Sequence, residues 1–204
     1  KIKFEENEKS FLQDKYYFIV DPINGIENFK NGIPHFSISI SIFYNNQIIA
    51  SSIYDPVKNE FFTAEKGNGA FINGKRIRVS GKRDLESCVF SLNNSLEKLL
   101  FKHSEVTNVF EIKNILDEIP FVRCLGSSSL DIAWVASGRL DAFIAKNTSI
   151  FDLASGALIL KESGGFITDF SSNNSFFKNG EVIAANSLIH GKILKIMKNK
   201  NIVN

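Results

Sequence analysis

Three acidic segments, far apart in the chain, carry the side chains best suited to chemistry. They are Glu5-Glu6, Asp21 within the stretch Tyr16 to Asn28, and Asp152 in Phe151-Asp152-Leu153-Ala154-Ser155-Gly156. Carboxylates from separate segments, gathered on one loop, form the hard oxygen ligand set that suits Mg²⁺ and a bridged phosphate. The central stretch reads Y-Y-F-I-V-D-P-I-N-G-I-E-N. Its aromatic and β-branched run, Tyr17 to Val20, predicts a buried strand that delivers Asp21 into Pro22. Asn24-Gly25 then predicts a turn, which would expose backbone N–H and C=O groups to a ligand. Read locally, the same residues also fit a surface turn capped by Asp21, with Glu5, Glu6 and Glu8 as a solvated charge run.

The elements that must position these groups follow from periodicity. His35 to Ile42 alternates polar and apolar, with serines on one face, and predicts a half-buried strand. Asn45-Asn46 turns it into a hairpin with Gln47 to Tyr54, Asp55-Pro56 breaks that partner, and Glu60 to Ala64 adds another strand. Gly67-Asn68-Gly69 lacks the helix start and remaining glycines of a nucleotide loop and reads as a tight turn. Strands this closely spaced make an antiparallel meander. Ser87 to Asn93 reads as a short strand, and Ser95 to Ile119 as an interrupted helix ended by Pro120. Phe121 to Leu125 enters Gly126-Ser127-Ser128-Ser129, whose serines would cap a helix from Leu130 to Ser137. That loop reads equally as a plain cap or as the lining of a phosphorylated-ligand pocket.

A turn and strand follow from Gly138 to Ile144. Asp152 stands before Leu153 to Leu160, an apolar helix rich in small residues, either as its N-cap or as a metal ligand that the close-packing helix brings near the site. Glu162 to Gly165 ends that helix, Phe166 to Asp169 opens a hairpin, Val182 to Asn186 is a strand, and His190 to Lys200 is an amphipathic helix with solvated lysines.

The 204 residues can bury one substantial core or two packed subdomains, and 44% of them are hydrophobic. The formal charge of +2 gives no signal for nucleic acid or an anionic membrane. No segment reaches the roughly 18 consecutive apolar residues of a transmembrane helix. Cys88 and Cys124 read as reduced, partly buried thiols, which suits a cytoplasmic protein. The chain begins at Lys1, with no signal peptide, and the expectation is of a start inside a longer chain.

The order E-E, D-P-I-N-G-I-E-N-F, F-D-L-A-S-G resembles the inositol monophosphatase family of Mg²⁺-dependent phosphatases, whose corresponding motifs are G-E-E, D-P-I-D-G-T-x-N-F and W-D-x-A-x-G. The resemblance runs from about Phe4 to the C-terminus. It implies an α+β fold, the layered αβαβα sandwich of the inositol monophosphatase and fructose-1,6-bisphosphatase type, lacking here the family's N-terminal helices. It also implies one domain over 1–204 in two packed halves, approximately 1–93 and 94–204. The expected setting is a bacterial cytoplasmic homodimer acting on a small phosphorylated polyol or sugar.

By this resemblance Glu5 and Asp21, helped by the backbone carbonyl of Ile23, would hold one Mg²⁺. Asp21, Asn24 and Asp152 would hold a second. Gly25 and Ile26 would offer N–H groups to the phosphate, and Gly126, Ser127, Ser128, the position of Ala145 and Asp152 would face the substrate. Three departures weaken the pattern. Asn24 stands where the family has an aspartate, so the second metal position loses a charge, although an amide oxygen can still coordinate Mg²⁺. Ile26 replaces a threonine whose hydroxyl helps activate water. Ala145 replaces a glutamate that contacts the inositol ring. One Mg²⁺ site is expected to persist and the second to be weakened. The competing reading is a catalytically silent member acting as a phosphate sensor or interaction protein. Asn24-Gly25 is also a deamidation-prone pair, and conversion to aspartate would restore the missing ligand.

Overall fold

The computed structural model describes residues 15–93 and 114–199. Glu5, Glu6 and most of the predicted helix between Ser95 and Ile119 lie outside these residues, and only 114–116 of that helix are seen as helical.

The first sheet is a six-stranded antiparallel meander in sequence order, β1-β2-β3-β4-β5-β6. Its strands are β1 (Tyr16–Asn24), β2 (Ser37–Tyr44), β3 (Gln47–Asp55), β4 (Glu60–Glu65), β5 (Gly69–Ile72) and β6 (Lys75–Arg76). The β2–β3 hairpin turns on Asn45 and Asn46, with φ of 47° and 59°; asparagine tolerates this left-handed region, which matches the strand twist. Among the described residues β1 is an edge strand rather than the buried one its composition predicts. Only Ile19 of Tyr16–Val20 is buried, because Tyr16 and Tyr17 cover β2 by stacking on Tyr44 and Phe43 at 4.7 and 5.1 Å.

Along β2 the two faces reverse the usual assignment. Ser37, Ser39, Ser41 and Ser51 are buried, whereas Ile38 and Ile40 are 40% and 38% exposed. Small hydroxyl side chains let helices sit close, and they bond across the gap: Ser37 to Ser129 at 2.9 Å and Ser41 to Ser155 at 2.7 Å.

The second sheet is mixed, in the order β10-β11-β9-β7-β8. It comprises β7 (Val89–Leu92), β8 (Phe121–Arg123), β9 (Ala142–Ala145), β10 (Gly165–Thr168) and β11 (Val182–Asn186). β7 runs parallel to β8 and β9, and the β9–β11–β10 pairings are antiparallel.

After a five-residue helix α1 (Ile26–Lys30), the main helices are α2 (Ser128–Ala136) and α3 (Ile150–Glu162). They fill the space between the sheets, α3 against β1 to β5 and β10, α2 against β9, β11 and β3. Leu153 to Leu160 are all buried, as expected of a helix covered on every side. The two helices approach closely at Gly156, where a Cβ would lie 2.8 Å from Ile132 Cβ.

A short α4 (Phe176–Asn179) precedes β11, and α5 (Ser187–Asn199) covers the far side of the second sheet with Ile189, Ile193 and Met197. The described residues therefore stack as sheet, helices, sheet, helix, in an α+β arrangement. Cys88 is buried and Cys124 is exposed, against the expectation of two partly buried thiols; Cys124 follows the edge strand β8, and neither forms a disulfide.

Candidate metal and phosphate site

The site begins with a register change in β1. Asp21 pairs with Ser39 and Asn24 with Ser37, so three steps on β1 match two on β2. In a regular strand, residues three apart face opposite sides. The extra residue turns Asn24 back to the inner face that Asp21 and the buried serines share. The turn expected at Asn24-Gly25 is present at Gly25 and leads directly into α1, with Gly25 as its cap at φ 90°. Its left-handed backbone and close approach to the Gly126 carbonyl and Ser127 Cβ, both 3.1 Å from a built Cβ, leave no place for a side chain.

Asp152 arrives from the other layer. It stands at the third position of α3, not at the N-cap that sequence alone offers; Ser149 is the cap. The two form a reciprocal capping box: the Asp152 N–H donates to Ser149 Oγ, and Asp152 Oδ2 accepts from Ser149 N–H at 3.0 Å and from Ser149 Oγ at 2.8 Å. The spacing Ser149-x-x-Asp152 was the available signal for it.

Asn24 joins the two carboxylates. Its Nδ2 donates to Asp21 Oδ2 at 2.9 Å and to Asp152 Oδ1 at 2.7 Å. Its Oδ1 accepts from Ser127 Oγ at 2.8 Å and from the Ser129 backbone N–H at 3.1 Å. The amide orientation is fixed from both sides, since a backbone N–H only donates and an ionised carboxylate only accepts. So oriented, the amide nitrogen rather than the oxygen faces Asp21 and Asp152. Turning the amide over would leave the Ser129 N–H unpaired in a buried site, at a cost of about 1–3 kcal/mol. Ser127, at the N-cap position of α2, makes no capping bond, and the Ser129 N–H that such a cap could satisfy goes to Asn24 Oδ1 instead.

Asp21 also accepts the Ile23 N–H on Oδ1 at 3.2 Å. Burial raises its pKa above the usual carboxylate value, the Asp152 carboxylate adds to the rise, and the bonds from Asn24 and Ile23 oppose it. Ile26 opens α1 with 43% exposure and no polar atom to offer. Ala145 is fully buried in the core, paired with Val182 of β11, and is not among the residues lining the cavity described next.

Gly126, Ser127, Ser128 and Asp152 line a common cavity of about 170 Å³, together with Asn93, Asp131, Asn147 and Thr148. A larger concavity of about 460 Å³ lies on the outer side of the first sheet, over Ile40, Thr63 and Phe71, away from these carboxylates.

Two supports have no signature in sequence spacing. Asn28 Nδ2 donates to the His35 and Leu125 carbonyls at 2.7 and 2.6 Å, tying α1 to the loop that carries Gly126. Behind it, His35 Nε2 meets the buried Asp131 carboxyl at 2.7 Å, and Ser91 Oγ donates to the same group at 2.8 Å. Burial pushes the Asp131 carboxyl up, and the His35 and Ser91 contacts pull it back. Among the described residues no group of three or more His, Cys, Asp or Glu side chains is placed to share a metal ion; Glu5 lies outside them.

The family model for the inositol monophosphatase family matches residues 2–201. The chain belongs to this family. An inositol-1-monophosphatase of Mesorhizobium japonicum is 38% identical over 184 residues, covering 90% of this chain and 68% of that protein. The Nus factor SuhB of Pseudomonas aeruginosa is 36% identical over 176 residues, 84% of this chain and 63% of that one. Among solved structures, the extragenic suppressor protein suhB from Bartonella henselae superposes with a TM-score of 0.81 at 39% identity, covering 91% of this chain and 73% of that chain. The chain thus spans about two-thirds of the length of these inositol monophosphatase-family relatives. No helix of the described residues is long and apolar enough to cross a membrane.

Proposed function

We propose that this chain forms the phosphate-facing part of a phosphomonoesterase of the inositol monophosphatase type, with Mg²⁺-dependent hydrolysis of a small sugar or polyol phosphate that is much slower than its motifs imply. The observation that carries the reading is the meeting of Asp21 and Asp152, from two layers of the fold, within 2.9 and 2.7 Å of one side chain. Ser127, Ser128 and Asp152 line the adjoining polar cavity, which suits hydroxyl-rich ligands.

Asp21 and the Ile23 carbonyl, with Glu5, are the groups that would hold Mg²⁺ at the first position. Bound there, the ion would supply Lewis-acid stabilisation of the phosphate and a more acidic water. The chain's own groups orient the ligand: the Ser128 hydroxyl at the cavity wall, and the rigid Gly25–Ile26 entry into α1. Ile26 brings no hydroxyl to position a water, and losing one positioned catalytic group commonly costs about a hundredfold or more.

The test is Mg²⁺-dependent phosphate release from inositol 1-phosphate by the full-length protein, beside a variant carrying Asn24→Asp and Ile26→Thr. Slow turnover that rises at least about tenfold in the double variant supports the reading. Turnover by the unaltered protein that the double change does not improve refutes the impaired-site part of it.

A second reading rests on the Asn24 orientation and on relatives that carry the name Nus factor SuhB. In it the chain keeps the fold for an interaction with other proteins and performs no hydrolysis. Phosphate-ester binding without release in either variant favours this reading.

A further inference from the structure

We infer that the Asn24 carboxamide stands in the place of a cation between Asp21 and Asp152, so that this carboxylate pair is held together without a divalent metal. The inference deepens the reading above and rests on its placement of the two aspartates in a phosphatase-type site.

The hydrogen-bond inventory is complete. A carboxamide has two N–H hydrogens and two oxygen lone pairs, and all four are used. Nδ2 gives one bond to Asp21 Oδ2 and one to Asp152 Oδ1; Oδ1 takes one from Ser127 Oγ and one from the Ser129 N–H. Each aspartate's other oxygen is also occupied, Asp21 Oδ1 by the Ile23 N–H and Asp152 Oδ2 by Ser149. Asn24 is 3% exposed, so its bonds do not exchange readily with water.

A cation at this point would need oxygen ligands turned toward it. Asn24 presents hydrogen-bearing nitrogen instead, and its oxygen is held on the opposite side by a backbone N–H that cannot become an acceptor. The donor set does not fit a metal. It does what a metal would do for the carboxylates, placing partial positive charge 2.7–2.9 Å from each. An aspartate at the same position would anchor one oxygen on Ser127 and Ser129 and turn the other, unprotonated, onto Asp21 and Asp152. Three carboxylates then require a cation or a proton to coexist. One atom type at residue 24 therefore converts a pair bridged by hydrogen bonds into a metal-dependent one.

The experiment compares full-length protein, Asn24→Asp and Asp152→Asn by equilibrium dialysis against Mn²⁺ and by thermal unfolding in EDTA and in Mn²⁺. Asn24→Asp should bind one more Mn²⁺ per chain than the unaltered protein. It should unfold at a lower temperature in EDTA and recover most of the loss on adding Mn²⁺. Asp152→Asn should leave the Mn²⁺ stoichiometry of the unaltered protein unchanged, and this arm holds even where Asn24→Asp fails to fold. A Mn²⁺ site in the unaltered protein that Asp152→Asn abolishes overturns the inference, as does equal stoichiometry in the unaltered protein and folded Asn24→Asp. Neither readout depends on turnover. Silence in the phosphate-release assay with the expected stoichiometries would sink the phosphatase reading and leave the cation substitution standing.

Discussion

Replacing Gly156 with alanine probes whether the close seating of α2 on α3 positions the site. The new Cβ would lie 2.8 Å from Ile132 Cβ, 2.9 Å from Cγ2 and 3.2 Å from Cδ1. Two of those atoms are Cβ carbons, fixed to backbone, so no rotamer change relieves the worst contact. The helices must separate by about 0.6 Å to restore a contact of 3.4 Å. Both lie between two sheets and have little room to move. Overpacking of this kind costs about 1–3 kcal/mol, and alanine's better helix propensity returns about 1 kcal/mol. The net expectation is a loss of up to about 2 kcal/mol, or up to roughly 8 °C in Tm for a chain of this size. Circular dichroism during thermal and urea unfolding reads it directly. Gly191, in the exposed part of α5, is the control: a Cβ there meets nothing within 4 Å, so Gly191→Ala should stabilise by up to about 1 kcal/mol. A Gly156→Ala protein stabilised as much as Gly191→Ala, with no sign of the clash, would refute the steric reasoning.

Two further outcomes follow from buried polar groups. His190 is buried, its Nε2 is 2.9 Å from Thr168 Oγ1, and burial lowers its pKa from 6.5. The unfolded chain therefore binds the extra proton first. The stabilisation is complete above pH 6.5 and is lost as pH falls toward the depressed folded value, at up to about 1.4 kcal/mol per pH unit. Chemical unfolding at pH 7.5, 6.5 and 5.5 should show that decline, and His190→Gln should flatten it; an unchanged slope in the variant would rule His190 out. Asn24-Gly25, a labile pair by sequence, should resist deamidation, because the carboxamide is held by four bonds and Gly25 at φ 90°. Peptide mapping of aged protein should find Asn24 intact while exposed asparagines convert, and rapid loss of Asn24 would contradict the locked geometry.

The meander, the strand before Gly126 and the two central helices were legible because alternation, turn residues and small-residue helices leave strong local patterns. Asp21 and Asp152 were legible as a pair only through motif order. Their separation by 131 residues carries no geometric information, whereas the fold sets Asn24 between them. The edge position of β1 was hidden, since Tyr17 to Val20 has the composition of an interior strand and its neighbours decide which side stays open. The direction of the Asn24 amide was hidden too. It depends on Ser127 and on the Ser129 N–H, both more than a hundred residues away, and an asparagine reads the same in sequence whichever atom faces the aspartates.

The serine side of β2 has a consequence for how this protein can change over generations. Most of an apolar interior can be rewritten one residue at a time, because neighbouring hydrocarbons accept small differences in shape. The seam of Ser37 with Ser129 and Ser41 with Ser155 is different, since a change on one side leaves a buried hydroxyl on the other without its partner. Slipping β2 by one residue would seat Ile38 and Ile40 against the helices and strand both helix hydroxyls at once. The seam therefore drifts only in matched pairs. Because Asp21 rides on the sheet and Asp152 on the helix, that inheritance of paired hydroxyls holds the span between them constant.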